Sequence, residues 1–250
     1  MIRWMWAYLE RPLAQFDRAA EFWCAAAEAE LSPRRGANNE FATFLPREPD
    51  VDACLKLQGG FGGGGAHIEL DVENVVHTTR AAVGQHGASV VLRDGTERAV
   101  LRTPGGQLFF LSKWTGHARR PPAAVHADGS VSRVDQVTFD ISPEHFDWEA
   151  RFWSDLTGWK LRPSKLPEFV RLEVPAELPI HILLQRRDTP GPAAAHVDVA
   201  CSDIDGVRTL HESLGATKVA DGKGWQVMQD PVGGVYCLTP RDPRTGRVPG

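Results

Sequence analysis

Long hydrophobic runs are missing from this sequence. No stretch nears the ~20 apolar residues a membrane-spanning helix needs, and no membrane partner is expected. An excess of one charge is missing too. The formal net charge is −4 over 250 residues, with no basic stripe of the kind that neutralises phosphates, so nucleic acid is not an expected partner either. Arg119-Arg120 reads as part of a solvated connector. Cysteine is sparse: Cys24, Cys54, Cys201 and Cys237 stand at neither metal-binding nor redox spacings and read as reduced thiols. The start of the chain, Met1-Ile2-Arg3-Trp4-Met5-Trp6, lacks the apolar core and small-residue cleavage site of a secretory signal. These features predict a cytoplasmic protein. The glycine run at residues 59–65 has no following Lys-Ser/Thr and precedes a strand pattern, so it reads as a flexible connector rather than a phosphate loop.

What the sequence does have is repetition. Phe16-Asp17, Phe22-Trp23 and Pro33 recur in order as Phe146-Asp147, Phe152-Trp153 and Pro163. Later, Ala66-His67-Ile68-Glu69-Leu70 and Thr103-Pro104-Gly105-Gly106 are matched by Ala195-His196-Val197-Asp198-Val199 and Asp230-Pro231-Val232-Gly233-Gly234. The chain therefore reads as a duplicated domain: residues 1–115, a Pro/Gly-rich linker at 116–130, residues 131–241 and a tail at 242–250. Each copy halves again. The alternating strand Gln136-Val137-Thr138-Phe139-Asp140-Ile141 aligns with His196-Val197-Asp198-Val199-Ala200-Cys201. After each comes a helix with apolar residues at helical spacing, such as Phe146, Ala150, Trp153 and Leu156. Those helices stop at Gly158 and Gly215, where a left-handed residue is wanted. Three short strands follow, expected at 159–162, 169–174 and 180–185 in the third quarter and at 218–219, 224–229 and 235–238 in the fourth. The first quarter predicts a strand at 4–9, an Ala-rich helix over 16–30 and strands at 41–45 and 53–58. The fold class is α+β, with four βαβββ modules.

Four such modules in two copies resemble the vicinal oxygen chelate superfamily, which includes glyoxalase I, bleomycin-resistance proteins and extradiol dioxygenases. The resemblance rests on Phe152-Trp153-Ser154-Asp155-Leu156-Thr157-Gly158-Trp159, on Leu214-Gly215-Ala216 and on Asp230-Pro231-Val232-Gly233-Gly234, similar to the family's Asp-Pro-x-Gly-Asn turn. It implies two tandem glyoxalase-like domains and a ligand cleft whose metal-using forms draw donors from the first and last strands of the modules. At those positions the second domain has Gln136, Gln185, His196 and Cys237, the last where metal enzymes carry Glu. The first has Trp6, Gln58, His67 and Phe110. Trp6 and Phe110 cannot coordinate. With no carboxylate at the last-strand position, the expectation is that no cofactor is needed; a divalent metal on Gln136, His196 and Cys237 is the less favoured option.

His196 and Asp198 lie two apart on a strand and share a face, as do His67 and Glu69. A carboxylate beside an imidazole can orient it for proton transfer; the same residues can equally be polar members of a core. The candidate catalytic residues are His196, Asp198 and Gln136. Gln185, Tyr236, Cys237, Trp225, Gln58, His67, Glu69 and Trp6 are candidate ligand contacts, and Trp4 and Phe109 lie on strands that could also wall a cleft. The resulting expectation is a small-molecule binder of the sequestration or resistance type with a metal-poor cleft. The alternative is an isomerase, lyase or cyclase using the His-Asp pair. With four modules in one chain, a monomer or a homodimer is expected.

Overall fold

The computed structural model describes residues 1–61 and 64–247. Gly62 and Gly63 of the glycine run and the last three residues of the tail lie outside the described residues. The first module comprises β1 (Ile2–Pro12), α1 (Phe16–Ala26), β2 (Ala29–Leu31), β3 (Phe41–Pro46) and β4 (Leu55–Gly60). The second comprises β5 (Gly65–Val72), α2 (Val75–Gly84), β6 (Ser89–Asp94), β7 (Arg98–Arg102) and β8 (Leu108–Lys113). After a short β9 (Ala124–Val125), the third has β10 (Val131–Ile141), α3 (Phe146–Thr157), β11 (Leu161–Pro163), β12 (Phe169–Leu172) and β13 (His181–Arg186). The fourth has β14 (Ala194–Cys201), α4 (Ile204–Ser213), β15 (Thr217–Asp221), β16 (Gln226–Gln229) and β17 (Val235–Thr239). The α+β class and the four βαβββ modules are as the sequence predicts. Among the described residues no helix is long and apolar enough to cross a membrane.

In every module the first strand lies beside the last, and the middle strands continue outward as antiparallel neighbours. The sheet orders are β2-β3-β4-β1-β5-β8-β7-β6 and β11-β12-β13-β10-β14-β17-β16-β15, with β9 paired to β10. First and last strands run parallel, as for β1 with β4 and β14 with β17, because a helix crosses over between them.

The chain forms two compact units, each drawing on both sequence copies. One contains Met1–Trp6, His67–Ala118 and Val137–Ala195; the other contains Ala7–Ala66, Arg119–Gln136 and His196–Gly250. In the first unit, Phe109 of β8 packs on Trp153 of α3 with ring centroids 5.2 Å apart, and Phe139 stacks on the same indole at 5.1 Å. Phe109 is therefore a core residue, as is the fully buried Trp4. The buried Glu149 accepts hydrogen bonds from Trp153 Nε1 and from the backbone N–H of Gly105, both at 2.9 Å. It ties α3 to the turn before β8.

In the second unit Trp23 of α1 packs on Tyr236 of β17 at 5.1 Å. Asp230 takes the organising part. It accepts from Arg11 Nε at 2.5 Å, Trp23 Nε1 at 3.0 Å and the backbone N–H groups of Val232 and Gly234 at 3.1 and 2.8 Å. Both members of the Arg11–Asp230 pair are buried, where removing one partner costs about 3–5 kcal/mol. A Cβ at position 234 would overlap the Arg11 guanidinium. That accounts for Gly234 standing where the family turn has Asn.

Two local expectations change. The helix expected over 16–30 ends at Ala26, and Glu28 turns left-handed at φ 49°. Ala29–Leu31 is then taken up by pairing with β3, so sheet hydrogen bonds override alanine's helix preference. Part of the 116–130 connector is also built into structure. Asp128 Oδ1 accepts from Ser130 N and Oγ at 2.9 and 2.7 Å, closing a turn at Asp128-Gly129 that pairs β9 with β10. Asp-Gly is a strong hairpin signal, and it starts β10 at Val131 rather than Gln136.

Candidate functional site

Three neighbouring strands of the second unit, β10, β14 and β17, bring Gln136, His196, Asp198 and Cys237 together. Alternation puts His196 and Asp198 on one face of β14, and the parallel register sets Asp198 opposite Cys237. His196 Nε2 lies 3.4 Å from Asp198 Oδ1, and Gln136 Nε2 donates to Asp198 Oδ2. One donor atom each from His196, Asp198 and Cys237 can be chosen so that all three lie within 4.8 Å of one another. Gln136, Asp198 and Cys237 are buried; the His196 side chain keeps 15% of its surface and is the member a ligand would meet first.

Behind these residues lies a layer of charge that sequence reasoning missed. Arg241, two residues past β17, donates from Nη1 to Gln136 Oε1 at 3.0 Å and from Nη2 to Asp135 Oδ1 at 2.6 Å. With its oxygen held by Arg241, the Gln136 amide must turn its NH2 group toward Asp198. Asp135 is fully buried. Burial pushes its carboxyl up from the ordinary aspartate range, against the opposing pull of Arg241 and Arg133. Asp135 carried a signal, a charge inside a strand otherwise rich in apolar residues. Arg241 carried none, because it lies beyond the last periodic segment.

The other unit shows the sister arrangement without the chemistry. Glu69 of β5 stands opposite Phe110 of β8 in the parallel register, and His67 stacks on the Phe110 ring at 4.6 Å with planes 22° apart. A phenyl ring thus fills the position of the Cys237 thiol. Trp6 donates from Nε1 to Asp71 Oδ2 at 3.1 Å and meets the His117 ring edge-on at 4.9 Å.

The remaining candidates are dispersed. Tyr236 points away from Cys237 into the core, fully buried, with its hydroxyl 2.9 Å from His211 Nδ1; this is a packing position rather than a ligand contact. Trp225 is half-buried immediately before β16, its indole against Gly222. Gln58 lies on β4 opposite Glu10 of β1, with Oε1 buried. Gln185 belongs to the first unit, on β13 opposite Phe169.

The glyoxalase-like domain family matches the chain twice, over residues 10–112 and 136–239. No curated protein matches it in sequence. Several solved structures share its fold. The Mn(II)-bound glyoxalase from Novosphingobium aromaticivorans has a TM-score of 0.64 at 19% identity, with 100% of this chain and 87% of that one covered. The 2,2',3-trihydroxybiphenyl 1,2-dioxygenase from Sphingomonas wittichii gives 0.63 at 14%, covering 95% and 90%. A 2,3-dioxygenase from Pseudomonas gives 0.61 at 11%, covering 93% and 90%.

These likenesses correct the expectation that no cofactor is needed, since a structure of this fold carries Mn(II). The last-strand position holds Cys237 in place of a carboxylate. The chain instead places Asp198 beside that thiol, on the neighbouring strand. The donors His196, Asp198 and Cys237 therefore replace Gln136, His196 and Cys237 as the set to consider, with Gln136 as the hydrogen-bond partner of Asp198. An imidazole, a carboxylate and a thiolate are a suitable set for a zinc-like cation with one position left open. With both copies matched in sequence and the fold shared throughout, the chain belongs to the glyoxalase-like family of the vicinal oxygen chelate superfamily.

Proposed function

We propose that the second unit holds a divalent cation on His196, Asp198 and Cys237 and binds a small oxygen-bearing organic molecule beside it. The observation that carries this reading is the convergence of the three donor atoms within 4.8 Å. A cation there would act as a Lewis acid toward a ligand oxygen. The protein's own groups do the positioning. Gln136, fixed by Arg241, holds Asp198 in place through its NH2 group, and the exposed edge of His196 marks the side of approach. Such a centre suits sequestration of a ligand as well as its conversion, and the fold alone favours neither.

The test is cobalt(II) loading followed by metal analysis and absorption spectroscopy. About one equivalent per chain is expected, with a thiolate-to-cobalt charge-transfer band that disappears in Cys237→Ser. A loaded protein whose spectrum is indifferent to both Cys237→Ser and His196→Ala would refute the site.

A second reading rests on the 3.4 Å approach of His196 to Asp198. A carboxylate at the imidazole edge raises its basicity and fixes its orientation. That would equip His196 to take a proton from a bound substrate and return it, as in isomerase or lyase chemistry. A bound compound recovered unchanged from wild type supports sequestration. Product formation lost in His196→Ala, with binding retained, supports catalysis.

A further inference from the structure

A cavity of the same unit is lined by none of the donors of the proposed cation site. Where the connector at 121–125 passes β4 and the start of β10, it closes a cavity of about 270 Å³. Its walls are largely apolar, with Phe44, Leu55, Pro121, Pro122 and Val134 among them, and Arg133 is its buried cation. Arg133 is unusual in its company. Among the described residues its Nε and Nη2 have no hydrogen-bond partner. The facing carboxylate, Asp135, lies 3.8 Å from Nη2, too far for a hydrogen bond, because both Asp135 oxygens are held by Arg241 at 2.6 and 3.4 Å. A guanidinium only 8% exposed thus shares the charge of Asp135 with Arg241 and keeps two donors without a hydrogen bond, a costly condition inside a protein.

The unmatched atoms specify what would match them. Nε and Nη2 lie on one edge of the guanidinium, the side-on fork that takes both oxygens of a carboxylate. The acids lining the cavity offer no such partner: Glu28 is paired with Arg47 at 2.9 Å, and Glu48 is exposed. Burial pushes the Cys54 thiol in the same wall up to about 12, so a covalent thiolate adduct is not in prospect. The volume falls just below the ~300–1,000 Å³ of drug-sized sites, which restricts the apolar part of a ligand to a short chain or one ring.

We propose that this cavity is a binding site for a small organic monocarboxylate, its carboxylate on Arg133 and its apolar body between Phe44, Leu55 and the Pro121-Pro122 wall. The fork is covered in this structure, so binding turns the guanidinium toward the cavity it already lines. The site does not depend on the cation reading, and its test needs no turnover.

Hexanoate, hexanol and inorganic phosphate are titrated calorimetrically into the full chain. Hexanoate is expected to bind at least tenfold more tightly than either of the others. Arg133→Gln should weaken hexanoate at least tenfold and leave hexanol unchanged. Ala124→Trp, which fills the cavity from the half-buried connector side, should abolish hexanoate binding while the unliganded thermal midpoint holds. Hexanol binding as well as hexanoate would overturn the proposal without recourse to any variant, and so would phosphate binding as tightly. Hexanoate binding that survives both substitutions would place the ligand elsewhere and overturn it too.

Discussion

Among single residues, His211 makes the sharpest demand on solution conditions. It is fully buried on α4, its Nδ1 against the Tyr236 hydroxyl and its ring edge-on to Phe22. Burial pushes its pKa down to about 3, helped by the charge of nearby His126. An unfolded histidine takes a proton near 6.5, so below that pH the unfolded chain binds a proton the folded chain refuses. The stability associated with neutral His211 is complete above about pH 6.5 and drains away as pH falls toward about 3, by ~1.4 kcal/mol per pH unit. Urea unfolding across that window should give His211→Gln a dependence on pH shallower than that of wild type by about one proton. Equal slopes would mean that His211 is protonated within the folded protein. Strand alternation made the shared face of His196 and Asp198 legible at this scale, and the family resemblance pointed to Gln136 and Cys237 beside them; the structure brings the four together. Alternation says nothing of a long side chain arriving from outside the strands. Arg241 and the charges it organises at Asp135 and Arg133 therefore went unseen.

Elements were legible where local chemistry and tertiary pairing agree. Gly158 ends α3 in the left-handed conformation, at φ 74°, and its N–H caps Ser154 O at 2.8 Å. The residues flanking it had announced that cap. Among the described residues, chain neighbours aside, no atom lies within 4 Å of where a Cβ would stand, so Gly158→Ala meets only the backbone penalty, about 1–2 kcal/mol. A denaturant midpoint lowered by that much is the expected result; an unchanged one would show that the helix end relaxes to another conformation. Gly234→Ala, by contrast, runs into the Arg11 guanidinium and should cost more. Element ends failed where a distant partner decided them. Pairing with β3 converts the end of the Ala-rich first helix into β2, and the Asp128-Gly129 turn lengthens β10.

At the scale of the whole molecule, duplication in the sequence is not partition in space. Trp23 comes from the first copy and Tyr236 from the second, yet they share a core; so do Phe109 and Trp153. Cutting the connector and expressing residues 1–120 and 121–250 apart would leave each core without half of its aromatic packing, and Asp230 without Arg11. Neither piece alone should unfold cooperatively, whereas the mixture should regain a sigmoidal transition. Two pieces that each melt cooperatively in isolation would contradict this. The exchange also bears on how such a chain could arise. A half-length ancestor could complete both cores only with a second copy of itself, and its stability would have risen and fallen with its concentration. Joining the copies through residues 116–130 replaces that dependence with an effective local concentration in the millimolar range typical of short linkers. It also leaves the two copies free to diverge, one keeping a thiol opposite its acid at Cys237 and the other sealing the same position with Phe110.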